Sequence, residues 1–412
     1  MKDSILKSMP KLLMGRELDE KLCILPDYTE SIRQKTAVER LIALQDIYRV
    51  FIPNQMSREI YSKLYLSLLH SLQKKESLLA IRQFNENTKA IRQNTYESIL
   101  GGSDSFTIIG PSGIGKTSAV SRAINILTEQ PIIEVAHTHI ISCLQVQTPA
   151  DCSIKGLLLE ILRRADELLQ SNYYKNAVRA HATIDMLIGS VSQVALNHIG
   201  LLVVDEIQNV VYNKNGRTII GTLTQLINNS GISICMVGTP ECTLFFEKEM
   251  ILARRSLGLN YSAMEYGEEF CSLCKALLQF CYVQNAPCVD ESLLIWLYNH
   301  SAGNVSIVVG LLHDAQEIAI LEKTEKLDIA VLHTAYERRL TMLHDYISSD
   351  TIKITATKKT TSKTVVPETT ETKKEPSIKT SISEISANAK HLQHDTISEL
   401  RRNGIRILEV II

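Results

Sequence analysis

Between residues 39 and 96 the large apolar side chains recur every three or four positions, as in IYSKLYLSLLHSLQ, with polar residues between them. That period predicts amphipathic helices, and Pro53 with Asn54 marks a break between two of them. From residue 105 to about 237 the pattern changes. Short apolar runs of strand length, FTIIG, IIEV, HIISCLQV, GLLVVD and ISICMVG, are separated by longer amphipathic stretches. Such alternation predicts an α/β architecture, a parallel sheet wrapped by crossover helices. From residue 267 to about 348 strand signals vanish, and CSLCKALLQFCY, ESLLIWLYNH, VSIVVGLLHDAQEIAILEK and LDIAVLHTAYERRLTMLHDYI read as a string of helices. The stretch TIKITATKKTTSKTVVPETTETKKEPSIKT then offers few large apolar side chains, so it is expected to remain disordered. It leads to HDTISELRRNGIRILEVII, whose apolar end predicts a docking peptide. The expected organisation is a helical, partner-binding N-terminal region (1–100), an α/β core (101–265), a small helical lid (266–349), a disordered linker rich in Lys, Thr and Glu (350–390) and a C-terminal docking segment (391–412).

Composition narrows the function classes. The chain has 412 residues, 45% apolar and 22% charged, which is ordinary for globular proteins of more than one domain. Its formal net charge of -1 excludes bulk attraction to nucleic acid, so any such site must be local. No apolar run reaches the roughly 20 residues that span a bilayer. The N-terminus MKDSILKSMP lacks the apolar core of an export signal, and the nine cysteines are scattered. A soluble cytoplasmic protein with free thiols and no membrane partner is expected. Cys271 and Cys274 form a CxxC followed by Cys281 and Cys288, but they lie in an amphipathic helical pattern and read as core residues rather than zinc ligands. His137 and His139 alternate in a strand pattern without a third ligand and read as structural.

The run GPSGIGKT, residues 110–117, matches the eight-residue phosphate loop and stands where that loop works, after the strand FTII and before the helix TSAVSRAINIL. Gly110, Gly113 and Gly115 allow the backbone to turn its N–H groups toward phosphates, and the helix N-terminus adds partial positive charge. Pro111, Ser112, Ile114 and Ser118 complete the expected ATP-binding loop. Lys116 is expected to reach the β- and γ-phosphates, and Thr117 to offer its hydroxyl to Mg2+. A second motif, GLLVVDEIQ, is a continuous apolar strand ending in two carboxylates at the edge where α/β sheets bind ligands. Asp205 is therefore assigned to magnesium and Glu206 to polarising the attacking water.

These motifs, with the stretch SNYYKNAVRAHATIDMLIGSVSQVALNHIGLLVVDEIQ, with VGTPE, LARRS and the later VSIVVGLLHDAQEIAI, resemble the TnsC-type transposition ATPases, relatives of TniB and MuB, over about residues 105–345. The resemblance implies an AAA+ P-loop core with a helical lid, hydrolysing ATP with Mg2+. Thr239 falls where such proteins keep a polar residue near the γ-phosphate or the lytic water. Arg254 or Arg255 falls on the finger that acts in trans, its planar guanidinium suited to phosphoryl charge. The lid sequence SAGNVSIVVGLLHDA departs from many AAA+ proteins in lacking a nucleotide-sensing Arg.

The family implies a bacterial protein that assembles with itself on double-stranded DNA as a ring or helical filament in the ATP state. It would bridge a target-selection protein of the TnsD or TniQ type to transposase subunits of the TnsA and TnsB type, with hydrolysis driving disassembly. Lys155 and Lys175 match the family's DNA positions best and would meet phosphates, blind to sequence. Arg163 and Arg164 read instead as a solvated helix face. Two other functions share every nucleotide motif: a STAND-type signalling ATPase and a helicase loader. The former is disfavoured by the lack of a sensor repeat array or effector domain.

Overall fold

The computed structural model describes residues 9–76, 105–135, 138–151, 153–210, 216–243, 258–344 and 347, all within one compact unit, Met1–Ala356. The expected linker and docking segment lie outside the described residues, as do Arg254, Arg255 and His137.

A six-stranded sheet carries the fold: β1 (Phe106–Ile109), β2 (Ile132–Val135), β3 (Thr138–Gln147), β4 (Ile199–Asp205), β5 (Ser233–Gly238) and β6 (Leu259–Asn260), in the order β2-β3-β4-β5-β1-β6. The central β1, β4 and β5 are buried at every position, as continuous apolar runs in a doubly covered parallel sheet must be. Side chains along them alternate between faces. Leu201 and Val203 enter one core and Leu202 and Val204 the other. Two features depart from the sequence reading. The β2 strand runs antiparallel to β3, because only the two residues 136–137 join them and a parallel crossover needs a dozen or more. The edge strand β6 pairs through two residues only, too few for an apolar run to register.

The helices are α1 (Gly15–Leu22), α2 (Ala37–Leu44), α3 (Gln55–Glu76), α4 (Lys116–Leu127), α5 (Ile154–Leu169), α6 (Tyr173–Arg179), α7 (Ile184–His198), α8 (Gly216–Ser230), α9 (Glu268–Leu278), α10 (Glu291–Asn299), α11 (Val305–Leu321) and α12 (Ile329–Arg339). One face of the sheet is covered by α5, α7 and α8. The other is covered by α4 together with α1 and α3, whose Ile60, Leu64, Leu68 and Leu72 follow helical spacing and are fully buried. The lid, α9 to α12, has its own core, and Leu44 and Ile47 from the N-terminal region are part of it. Arg40 of α2, itself buried, anchors that attachment through a bidentate ion pair with the partly buried Glu325, at 2.6 and 2.7 Å.

The N-terminal region is thus divided. Its α2 segment packs into the lid, its α1 and α3 pack on the sheet, and residues 50–54 cross between the two.

Candidate nucleotide site between the sheet edge and the lid

Among the described residues six helices begin with a side-chain cap: Thr36, Ser153, Thr183, Asp290, Asn304 and Asp328 each accept from a first-turn N–H. Helix α4 does not. Its cap residue is Gly115, left-handed at φ 95°, with no side-chain bond and no acidic residue in the first turn. The orphan N–H groups and the positive end of the dipole are left for an anion. Gly113, at φ 84°, gives the loop its other left-handed turn.

The strand order puts the C-terminal ends of β4, β5 and β1 side by side. Asp205, Glu206, Gln208, Gly238 and Thr239 therefore converge with Ser112, Gly113, Gly115, Lys116, Thr117, Ser118 and Ser306 around one cavity of about 240 Å³. Lys116 is 8% exposed, and its Nζ donates to the carbonyls of Gly110 and Pro111 at 2.6 and 2.7 Å. Burial lowers its pKa, opposed in part by the charges of Asp205 and Glu206. Asp205 is 2% exposed; its Oδ1 accepts from the Glu206 N–H at 2.8 Å, and its Oδ2 is buried without a hydrogen-bond partner. A buried carboxylate oxygen with nothing to pair it, in a cavity shared with the Thr117 hydroxyl, fits a hard divalent cation and its waters. Glu206 itself sits at φ 58°, a region costly for a residue with a Cβ.

The lid closes the opposite side. The Asn304 Nδ2 donates to the carbonyl of Ser112 at 2.9 Å, and the Ser306 N–H donates to the carbonyl of Gly113 at 3.0 Å. Both loop carbonyls are thereby held toward α11.

Behind the loop lies a second cavity of about 240 Å³, which shares Gly113, Gly115, Ser118 and Ser306 with the first. Its walls are largely apolar: Val50, Phe51 and Ile52 from the crossing segment, Met56 of α3, Met264, Leu273 and Leu277, and Val305 and Val309 of α11. One cavity is lined mainly by polar groups, its neighbour mainly by apolar side chains that suit a flat ring. The sequence reading missed this second wall, as well as Asn304, Ser306 and Gln208. The Asn before the apolar helix VSIVVGLL was visible as a cap signal. Nothing in residues 48–56 marked them as a pocket wall, since their role depends on the lid packing beside them.

The remaining expected residues sit apart from the cavities. Lys155, at the start of α5, and Lys175, in α6, are exposed. Arg163 and Arg164 are paired with Glu160 and Glu167 along α5. Cys274 and Cys281 are buried in the lid core.

The six-stranded, mostly parallel sheet flanked by helices resembles the fold of an AAA+ P-loop ATPase. Residues 99–246 match the family model described as AAA domain. Comparison with curated proteins finds no match. Among solved structures, the chain is similar to the ORC1 protein of Aeropyrum pernix in complex with DNA, at 14% identity, covering 66% of this chain and 68% of that one, with a TM-score of 0.43. It is similar also to the ORC2 protein of Aeropyrum pernix in its ADPNP-ADP complexes, at 14% identity over 64% and 68% of the two chains, TM-score 0.42. A third is Drosophila ORC bound to DNA, at 12% identity over 99% and 87%, TM-score 0.43. No helix among the described residues is long and apolar enough to cross a membrane.

Proposed function

We propose that this protein is a Mg2+-dependent ATPase whose nucleotide lies across the glycine loop, triphosphate in the polar cavity and base in the apolar one. The observation that carries the reading is the convergence of Lys116, Thr117, Asp205 and Glu206 on one cavity under the lid. In this reading the uncapped first turn of α4 and the Lys116 ammonium bind the phosphates. Thr117 and Asp205 would hold Mg2+, which when bound neutralises phosphate charge. Glu206 accepts a proton from the attacking water, and Thr239, at the end of β5, lines the same cavity from the side.

The wider role we infer is that of a transposition regulator. ATP binding drives assembly of the chain on double-stranded DNA, the assembly connects a target-selection protein to transposase, and hydrolysis takes it apart. Support comes from the sequence resemblance and from the exposed Lys155 and Lys175, which offer a local surface for phosphate contacts. Arg254 or Arg255 would complete the site of a neighbouring subunit. Electron microscopy of the protein on duplex DNA of arbitrary sequence tests this: rings or filaments are expected with a non-hydrolysable ATP analogue and none with ADP. Monomers free of DNA under every nucleotide condition contradict the assembly role while leaving the ATPase untouched.

A further inference from the structure

Outside the nucleotide cleft, a cluster of metal-ligating side chains stands on the lid helix α11. His313 and Glu317 are one helical turn apart, so their side chains meet, and Asp314 follows His313 directly. One ligand atom from each, an imidazole nitrogen and two carboxylate oxygens, lies within 4.8 Å of the others. His313 is buried, while the two carboxylates are partly exposed and leave an approach from solvent. The His313 Nδ1 is 2.9 Å from Asp314 Oδ1. Two ligands bonded at right angles to one ion, each at about 2.1 Å, stand about 3.0 Å apart, so this pair already has the spacing of neighbouring corners of an octahedron. Charge points the same way. With His313 neutral, the described ion pairs give the two carboxylates a single cation, Arg339 of α12, whose Nη2 is 3.1 Å from Glu317 Oε2. The surplus negative charge reaches the short turn Gln45–Arg49 after α2: burial first, then Asp314 and Glu317, push the Tyr48 phenol up, with Arg339 opposing.

The other ring nitrogen is held from that same turn. Gln45 Nε2 stands 3.0 Å from His313 Nε2, and the Tyr48 ring packs on the imidazole with centroids 4.6 Å apart. An amide can serve either tautomer: its nitrogen donates to a bare Nε2 or, turned over, its oxygen accepts from Nε2–H. A metal-bound histidine takes the second arrangement, its free ring nitrogen donating to an oxygen that fixes the ring. Gln45 stands where that supporting contact is made. We infer that His313, Asp314 and Glu317 form a binding site for a divalent first-row transition ion, with His313 Nδ1 and one oxygen of each carboxylate as ligands and water at the remaining positions. One imidazole with two carboxylates suits Mn2+, Co2+ or Zn2+ better than the all-oxygen ions or thiol-seeking copper. The ring stays neutral on binding: Nδ1 loses its hydrogen to the ion's place, Nε2 gains one, and the Gln45 amide turns to accept it. Glu317 exchanges Arg339 for the ion. The ligands belong to the lid and the supporting residues to the N-terminal region, so the ion fastens one to the other. Tyr48 also lines the apolar cavity, and fixing His313 beneath it stiffens that wall.

Binding is read without nucleotide, so the outcome does not depend on the ATPase reading. The full chain is stripped with chelator and titrated with Co2+, followed by calorimetry, visible absorption and thermal melting, for wild type, Asp314→Asn, Glu317→Gln, His313→Gln and Asp205→Asn. Wild type is expected to bind Co2+ with the weak visible absorption of a six-coordinate oxygen and nitrogen site, and to melt at a higher temperature when the ion is present. Asp205→Asn, which alters the proposed Mg2+ ligand in the nucleotide cleft, should keep this binding. Asp314→Asn, Glu317→Gln and His313→Gln should each weaken it about tenfold or more and lose the thermal shift. The two carboxamide variants keep the shape of the side chains they replace, and a melting temperature near wild type in chelator shows that they are folded. Failure of wild type to bind Co2+ overturns the inference, as does undiminished binding in Asp314→Asn and Glu317→Gln. Loss of binding in Asp205→Asn, or the intense near-ultraviolet band of a cobalt thiolate, places the ion elsewhere and overturns it equally.

Discussion

Asn304 holds Ser112: its Nδ2 donates to the Ser112 carbonyl at 2.9 Å, while its Oδ1 caps α11 by accepting from the Ser306 N–H at 3.1 Å. One side chain thus begins the lid helix and fastens it to the phosphate loop. The lid carries no arginine at this end, and the contact between lid and loop is made instead by a neutral amide and a backbone N–H.

Two substitutions at this position divide the tasks. Asn304→Ala removes both, and is expected to lower stability by about 1 kcal/mol through the lost cap and to weaken ATP-analogue binding as well. Asn304→Asp keeps an accepting oxygen for the cap but loses the donor and adds a negative charge beside the phosphates. Its melting temperature should stay near wild type while ATP affinity drops about tenfold or more, a loss of 1.4 kcal/mol or above. Calorimetric titration alongside thermal melting checks both.

Gly113→Ala has no comparable escape. A Cβ there would stand 2.6 Å from Asn304 Oδ1 and 3.1 Å from Ser306 Cβ, on a backbone at φ 84°. Loss of nucleotide binding is expected, with far-UV circular dichroism unchanged because the sheet and its cores do not touch the new methyl. Retained binding at wild-type affinity would show that the loop and lid need not meet.

The apolar cavity gives a different readout. Val309→Trp places a large ring where the base is proposed to lie, so ATP affinity should fall by about tenfold or more while binding of inorganic tripolyphosphate is kept. Equal loss of both ligands would place the base elsewhere.

Acid stability tests the attachment of the N-terminal region to the lid. The hydrogen bonds from Arg40 hold the Glu325 carboxyl below its ordinary pKa of 4.5. A depressed folded-state pKa means that the pair stabilises the fold above pH 4.5 and that this contribution is lost as the pH falls below it. Thermal melts should therefore show wild type losing stability below pH 4.5, and Glu325→Gln losing less over the same range. Glu325→Ala strands the Arg40 charge, which is 3% exposed, and should destabilise by about 3 kcal/mol at neutral pH. A pH profile identical in wild type and Glu325→Gln would remove the pair from the account.

Much of the fold was legible because the relevant signals are local. Five strands announced themselves as apolar runs, and the two that end in GPSGIGKT and in DEIQ placed the loop and the carboxylates at one sheet edge. What escaped depends on contacts between distant segments. The β6 strand pairs through two residues and has no pattern of its own. Arg40 and Glu325 are 285 positions apart, so nothing in the N-terminal helices revealed that they would join the lid. Residues 50–56 became a pocket wall for the same reason. Gln208 stood inside a recognised motif, yet its unpartnered oxygen appears only once Gly238 is packed against it.

The central claim is that one cleft both grips and cleaves ATP through separate residues, and phosphate release measured beside nucleotide binding tests it most directly. Wild type should release phosphate only when Mg2+ is present, Lys116→Ala should lose binding, and Glu206→Gln should bind ATP while releasing almost no phosphate. Wild-type phosphate release from Glu206→Gln, or undiminished ATP affinity in Lys116→Ala, would contradict it.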